Sequence, residues 1–503
     1  MRNLIIAIIL TTLALSACTN PPAPSVHTGI RDEVLADGAS YEMRIAPGTL
    51  TVNDVTLSTY AYNNQIPGPQ LRVRQGTSIT VIARNELPEP TTIHWHGLRQ
   101  DIKDDGVPGV SQDPIAPGGE HTYTLRFPDA GIFWYHPHIR EDRQQDLGLA
   151  GTIIVEPADG SWPIVDREET LILDDRLLAE RTGTAIAHGS TVANHALMGR
   201  YGNMMVVNGA PSIHYEVHAG ERVRFFILNT ANVRPFNVSF GTPMRIIGSD
   251  IGLAQEPETA SSVIVAPAER YIVDVLFPVA GTYSIRNVNP WMKYTLGEIV
   301  VTEGKPSTAE MPLPTSDIAQ FTPFFGQEPN LTLRIDVELE NGMGHGMMGM
   351  HGTAIEWEDT MAMMNTATTS DDVHWFLEDI ATGKRNMDIH PTYHVGDIIT
   401  VRIINDRNGA HPMQHPIHLH GQRFLVESVD GVPPTQLAWK DTVLVPGGTT
   451  VDVLVELTNP GEWMIHCHIA EHLESGMMAS ILVADENGTV PRGITTQQDN
   501  THT

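Results

Sequence analysis

The chain has 503 residues and a formal net charge of −29, from 31 Lys+Arg against 60 Asp+Glu. That acidic excess argues against nucleic acid and anionic membrane surfaces as partners, and the length calls for roughly two to four domains rather than one core. With 43 Gly, 35 Pro and few long helical patterns, the composition suits an all-β protein.

At the N-terminus, Arg2 precedes an apolar run from Leu4 to Leu15 that is too short to span a membrane. Leu15-Ser16-Ala17-Cys18 resembles a bacterial lipobox. It implies a signal peptide over 1–17 and a lipidated Cys18, hence an exported protein of the periplasm or cell envelope. Contact with the membrane is then through that anchor alone. Residues 18–37 read as a flexible spacer. The only two cysteines, Cys18 and Cys467, both have a role, so no structural disulfide is expected.

The rest of the chain is a threefold repeat. Each third has a strand running to a glycine: Ile93-His94-Trp95-His96-Gly97, Val238-Ser239-Phe240-Gly241 and Ile417-His418-Leu419-His420-Gly421. Each then has a strand led by Gly131, Gly281 or Gly461 and a closing alternating strand after it. Short alternating strands with Pro-Gly turns predict Greek-key β-sandwiches over 38–160, 161–304 and 320–486. Residues 305–319 read as a linker and 487–503 as a polar tail. The outer copies carry four His-x-His pairs, His94/His96, His136/His138, His418/His420 and His466/His468; the middle copy has Val238, Phe240, Arg286 and Val288 instead. Metal ligands are therefore expected from the first and third domains only, with the cluster between them.

The densest chemistry is His466-Cys467-His468-Ile469-Ala470-Glu471-His472-Leu473-Glu474-Ser475-Gly476-Met477. On a strand, neighbours point to opposite faces. Cys467 thus faces one way, with His472 and Met477 on its side, and His466 and His468 face the other. Cys, two His (one from elsewhere in the chain) and a weak Met are the ligands of a blue-copper electron-transfer site. Eight imidazoles in i, i+2 pairs can hold a compact cluster of three further coppers.

On these four blocks the chain resembles the multicopper oxidases (laccases, ascorbate oxidase and bacterial copper-resistance oxidases) over essentially its whole mature length. The resemblance implies three consecutive cupredoxin-like domains and four copper ions. His415, Cys467, His472 and axial Met477 would hold the type 1 copper, and His94 and His418 the type 2 copper. His96, His136, His138, His420, His466 and His468 would hold the type 3 pair. It also implies the reaction: four single electrons from a reducing substrate pass from Cys467 to His466 and His468, and dioxygen becomes two waters. Asp105, in Asp104-Asp105-Gly106, matches the family's acidic residue near the cluster and is assigned to proton delivery or orientation. Where some relatives carry a second carboxylate, this chain has Leu473, with Glu471 and Glu474 on either side.

The insert 342–364 carries Met343, Met347, Met348, Met350, Met361, Met363 and Met364, seven of the chain's 20 Met. Thioethers select Cu(I), and the interleaved glycines disfavour a packed helix. The insert resembles that of bacterial cuprous oxidases. With His411 and Met413 before His415, completed by an insert Met or Asp359, it makes a Cu(I) docking site the leading expectation for the substrate. A broad laccase oxidising phenols or aromatic amines is the alternative enzyme. A non-enzymatic copper-sequestering protein is the alternative of another class.

Overall fold

The structure, a computed structural model, describes residues 23–52, 54–179, 182–304, 317–340 and 354–494. Residues 1–22, with the expected signal peptide and Cys18, residues 305–316, the end of the chain after 494, and Met343, Met347, Met348 and Met350 lie outside the described residues. Six sheets pair into three sandwiches in chain order, each with a six-stranded and a five-stranded sheet. The fold is the cupredoxin type, repeated three times.

Alternation along the strand Gly461–Cys467 positions the site. Trp463, Ile465 and Cys467 enter the core of the third sandwich, while Met464 belongs to a separate apolar cluster on the opposite face. The strand His415–Leu419 pairs antiparallel with it, setting Ile417 opposite Cys467 and His418 opposite His466. In the first sandwich, His94–His96 pairs antiparallel with Gly131–His136, setting His94 opposite His136. Cross-strand partners are within side-chain reach, so each domain presents its histidines as a patch. The middle five-stranded sheet has the strand order of the third, but Val238 and Phe240 fill its own core. It has the scaffold and none of the imidazoles.

One loop depends on a glycine. Gly106 has φ +85°, and a Cβ there would lie 1.9 Å from the Ile93 carbonyl oxygen and 2.9 Å from the His94 Cα. Backbone on a sheet cannot retreat by that much. Gly106→Ala is therefore expected to destabilise the copper-free chain by more than about 1 kcal/mol and to displace Asp105 beside it. Thermal unfolding checks the first effect, and copper content of the purified chain the second.

Candidate metal centre

On the core side of the strand, Cys467 Sγ lies 3.6 Å from His415 Nδ1 and 3.8 Å from His472 Nδ1, and those two nitrogens are 3.3 Å apart. The second histidine that the sequence required from elsewhere is His415, brought in by strand pairing. Met477 is buried in the same cluster, and its carbonyl accepts from the Cys467 N–H at 3.2 Å. Trp375 stacks on the His472 ring at 4.3 Å and meets the His415 ring edge-on at 4.8 Å, fixing both. Burial pushes the Cys467 thiol up and holds His415 down at about 3. The imidazoles are therefore neutral and available, and the thiol needs a cation to lose its proton.

On the other side, eight imidazoles from the first and third domains converge in three groups, His94–His96–His418, His96–His136–His468 and His138–His420–His466. Each group mixes the two domains, and its ligand atoms lie within 4.8 Å of one another. The ring tautomers are set by backbone carbonyls. The Nδ1–H of His94 donates to Asp105 O at 2.7 Å and that of His418 to Asp441 O at 2.8 Å. Those of His136 and His466 donate to Pro137 O and Cys467 O, both at 2.8 Å. The His420 Nδ1–H donates to Asp105 Oδ2 at 2.9 Å. His96 is turned the other way, with Nε2 bonded to Asp441 Oδ1 at 3.0 Å and Thr442 Oγ1 at 3.1 Å.

This arrangement can be tested against copper from its unsatisfied atoms. The Nε2 atoms of His94, His136, His138 and His418, Nδ1 of His96 and both ring nitrogens of His468 are buried without any hydrogen-bond partner among the described residues. Nε2 of His420 and Nε2 of His466 face each other at 2.9 Å. Buried polar atoms are normally paired, and burial drives His96, His136, His420, His466 and His468 well below the usual imidazole range. Neutral nitrogens aimed at common points are ligands for metal, and imidazole beside a thiolate, two further histidines and a thioether is the chemistry of copper. The residues fit the group.

Asp105 is fully buried between the domains, with Oδ1 3.4 Å from His94 Nδ1 and unpartnered among the described residues. Sequence reasoning missed its counterpart. Asp441, in the third domain, touches His96 and His418 and is held by both terminal nitrogens of Arg270 at 2.6 and 2.5 Å. Arg270 comes from the middle domain, which supplies no ligand. It also donates to Ile132 O of the first domain at 2.9 Å. A Cβ on Gly97, which closes the first His-x-His block, would lie 2.3 Å from Asp441 Oδ2 and 2.9 Å from Arg270; that glycine is what lets the pair approach. Burial pushes Asp441 up, but Arg270 and His96 outweigh it and hold the carboxyl well below the usual range. Two further residues were missed. Glu141 is buried beside His138, and Met198 lies against His411, with Sδ 2.9 Å from Nε2.

The expected pairing of His411 with Met413 needs correction. Met413 is 0% exposed and packs in the core with Cys467 and Met477, its carbonyl accepting from Asn405 Nδ2 at 2.6 Å. Its side chain is spent on packing, and the sulfur that meets His411 comes from the middle domain. Asp359 accepts from Asn365 Nδ2 at 2.9 Å, and Asn365 Oδ1 accepts from the Met198 N–H at 2.9 Å. One asparagine therefore ties the Met361–Met364 segment to Met198.

Three cupredoxin sandwiches, with a site of one cysteine and two histidines joined through one strand to an eight-imidazole cluster, define a multicopper protein. Family models described as multicopper oxidase match residues 44–160, 173–302 and 356–487. The chain belongs to the multicopper oxidase family, and it is a copper-dependent oxidoreductase whose clusters match the family's type 1, type 2 and type 3 sites. It is 29% identical to the multicopper oxidase MmcO of Mycobacterium tuberculosis over 95% of both chains. It is 27% identical to Laccase-1 of Botryotinia fuckeliana over 90% of this chain and 83% of that protein. Among solved structures, a multicopper oxidase from Pseudomonas thermotolerans matches with 28% identity and a TM-score of 0.69, over 90% of this chain and all of that one. Dioxygen and a reducing substrate are the partners this family implies.

Proposed function

We propose that the enzyme oxidises Cu(I) to Cu(II) in copper tolerance, exported and tethered at Cys18. In this reading His415, Cys467, His472 and Met477 hold the type 1 copper, His94 and His418 the type 2 copper, and His96, His136, His138, His420, His466 and His468 the type 3 pair. When bound, these coppers supply one-electron transfer from the substrate and four-electron reduction of dioxygen to two waters. The chain's own part is to hold, link and protonate. Cys467 is joined through one peptide bond to His466 and through another to His468, so the shortest path between the two centres is covalent. Asp105, bonded to His420 and 3.4 Å from His94, orients both rings and is the buried carboxylate placed to deliver protons. Arg270 and Asp441 orient His96 and His418 from behind.

The observation that carries the substrate is the His411–Met198 pair. A thioether and an imidazole, both ligands copper accepts, lie 2.9 Å apart beside Trp375, whose ring packs on both type 1 histidines. Burial holds His411 at about 4, so the imidazole is uncharged at neutral pH. Met363, on the segment tied to Met198, is 93% exposed, a thioether set out in solvent. The thioethers of Met363 and Met198, ahead of the type 1 site, favour a cuprous ion. Likeness to a protein named a laccase supports the second reading, a phenol oxidase.

Dioxygen uptake by the copper-loaded protein, with buffered Cu(I) and separately with a dimethoxyphenol, distinguishes them. The cuprous reading expects far higher kcat/KM for Cu(I) and phenol turnover only with added copper. Efficient phenol turnover without it would make the enzyme a laccase. Met198→Leu is expected to raise KM for Cu(I) about tenfold, the effect of roughly 1.4 kcal/mol, and to leave phenol kinetics unchanged.

A further inference from the structure

A cavity of about 400 Å³ opens between the first and third domains and reaches the histidine cluster at His138. His138, Glu141, Glu474, Met387, Met464 and Met478 are among the residues that line it. Met387 is 41% exposed, so the cavity reaches solvent. Met464 and Met478 pack with Val107 and Leu473, which makes the wall between the carboxylates apolar.

Glu141 is the unusual member. It is 1% exposed, and neither carboxylate oxygen accepts a hydrogen bond from the described residues. His138 Nδ1 lies 3.2 Å from Oε1 without a hydrogen bond between them. No cationic side chain among the described residues compensates it. Arg140, its neighbour, is committed to Asp142 at 2.8 and 2.9 Å. Glu474, across the cavity, is a second carboxylate acting on it. A buried carboxyl with both oxygens bare, set in a cavity with a second carboxyl and no cationic side chain, can accept a cation that nothing among the described residues supplies. The thioethers narrow the choice of cation, since carboxylates alone take hard ions and sulfur takes Cu(I). The cluster also poses the matching problem: its ligands are all buried, so its copper needs a way in.

We propose that this cavity is the port by which copper enters the histidine cluster, with Glu141 and the Met387 and Met478 sulfurs holding a cuprous ion before it passes to His138. Neither His411 nor Met198 lines this cavity, and the site does not depend on which substrate the enzyme oxidises. It explains why Glu141 is left without a partner and why three methionines surround a path to a histidine.

The test is the loading rate of copper-stripped, full-length protein in buffered Cu(I) without oxygen. Samples are quenched with chelator at intervals and reoxidised. Copper per chain, the blue absorption of the type 1 site and the electron paramagnetic resonance of the type 2 site are then read. In Glu141→Gln and in Met387→Leu/Met478→Leu, cluster filling is expected to slow about tenfold, roughly 1.4 kcal/mol in the barrier, while type 1 filling keeps its wild-type rate. The final copper content of the methionine variant should equal wild type. Cluster filling at the wild-type rate in both variants would overturn the proposal, as would equal slowing of both sites, which reports general misfolding. A third variant, Gly109→Trp, narrows the mouth. If it alone slows filling, the cavity is a passive passage and the proposed ion site is wrong.

Discussion

Arg270→Met is expected to strip copper from the histidine cluster and leave the type 1 site filled, although the middle domain supplies no ligand. The guanidinium is fully buried and makes a two-pronged contact with Asp441. Asp441 Oδ1 in turn fixes Nε2 of His96, and its carbonyl fixes Nδ1 of His418. Removing the cation leaves a buried carboxylate unpaired at a cost of about 3–5 kcal/mol. The carboxyl then takes up a proton or swings toward water, and either change releases His96 from the orientation that points Nδ1 at its neighbours. His418 stacks on His96 at 3.6 Å, so the disturbance spreads to both. Copper per chain and the type 2 resonance should fall while the blue absorption persists. The control is Arg224→Met, which breaks another buried pair of the same domain, with Asp274 at 2.9 and 3.1 Å. It should cost comparable stability and no copper. Full copper occupancy in the Arg270 variant would mean that the middle domain has no part in organising the cluster.

Cys467→Ser should abolish the blue absorption and lower oxidase activity at least about a thousandfold, or roughly 4 kcal/mol. Serine is close in size, but its hydroxyl is harder than a thiolate and does not ionise in a site this buried. The hydroxyl also leaves a polar group among Ile417, Ile465 and Met477. Cluster copper should remain, because His466 and His468 face away from position 467. Met477→Leu separates the thiolate's part from that of the pocket: it should keep the blue colour and shift the reduction potential, since the axial thioether is the weak member of the set. Loss of cluster copper in Cys467→Ser would show that the two faces of the strand are not independent.

The two faces were legible in the sequence because a strand has a period of two. From Gly461 to Cys467 that rule alone divides Trp463, Ile465 and Cys467 from Met464 and His466, and it explains why His-x-His pairs work as units. Repeat alignment did the same for the domains: Val238 and Phe240 stand where histidines stand in the other copies, and both are core residues. Local periodicity is a property of the backbone and needs no partner to be read.

Tertiary structure alone decided who stands behind the ligands. Arg270 and Asp441 are 171 residues apart and His411 and Met198 are 213 apart, and no spacing rule connects them. Met413 was the nearer sulfur in sequence, but the core of the third sandwich took it, and a loop of the middle domain supplied Met198 instead. Glu141 reads in sequence as one more acid in a short polar helix; only the folded chain shows it buried beside His138 with neither oxygen hydrogen-bonded. Sequence by itself determined the fold, the copper chemistry and the division of the ligand strands into two faces. The partners that orient those ligands, and the cavity that reaches them, depend on how three sandwiches pack, because a buried charge takes its partner from whatever surface closes over it.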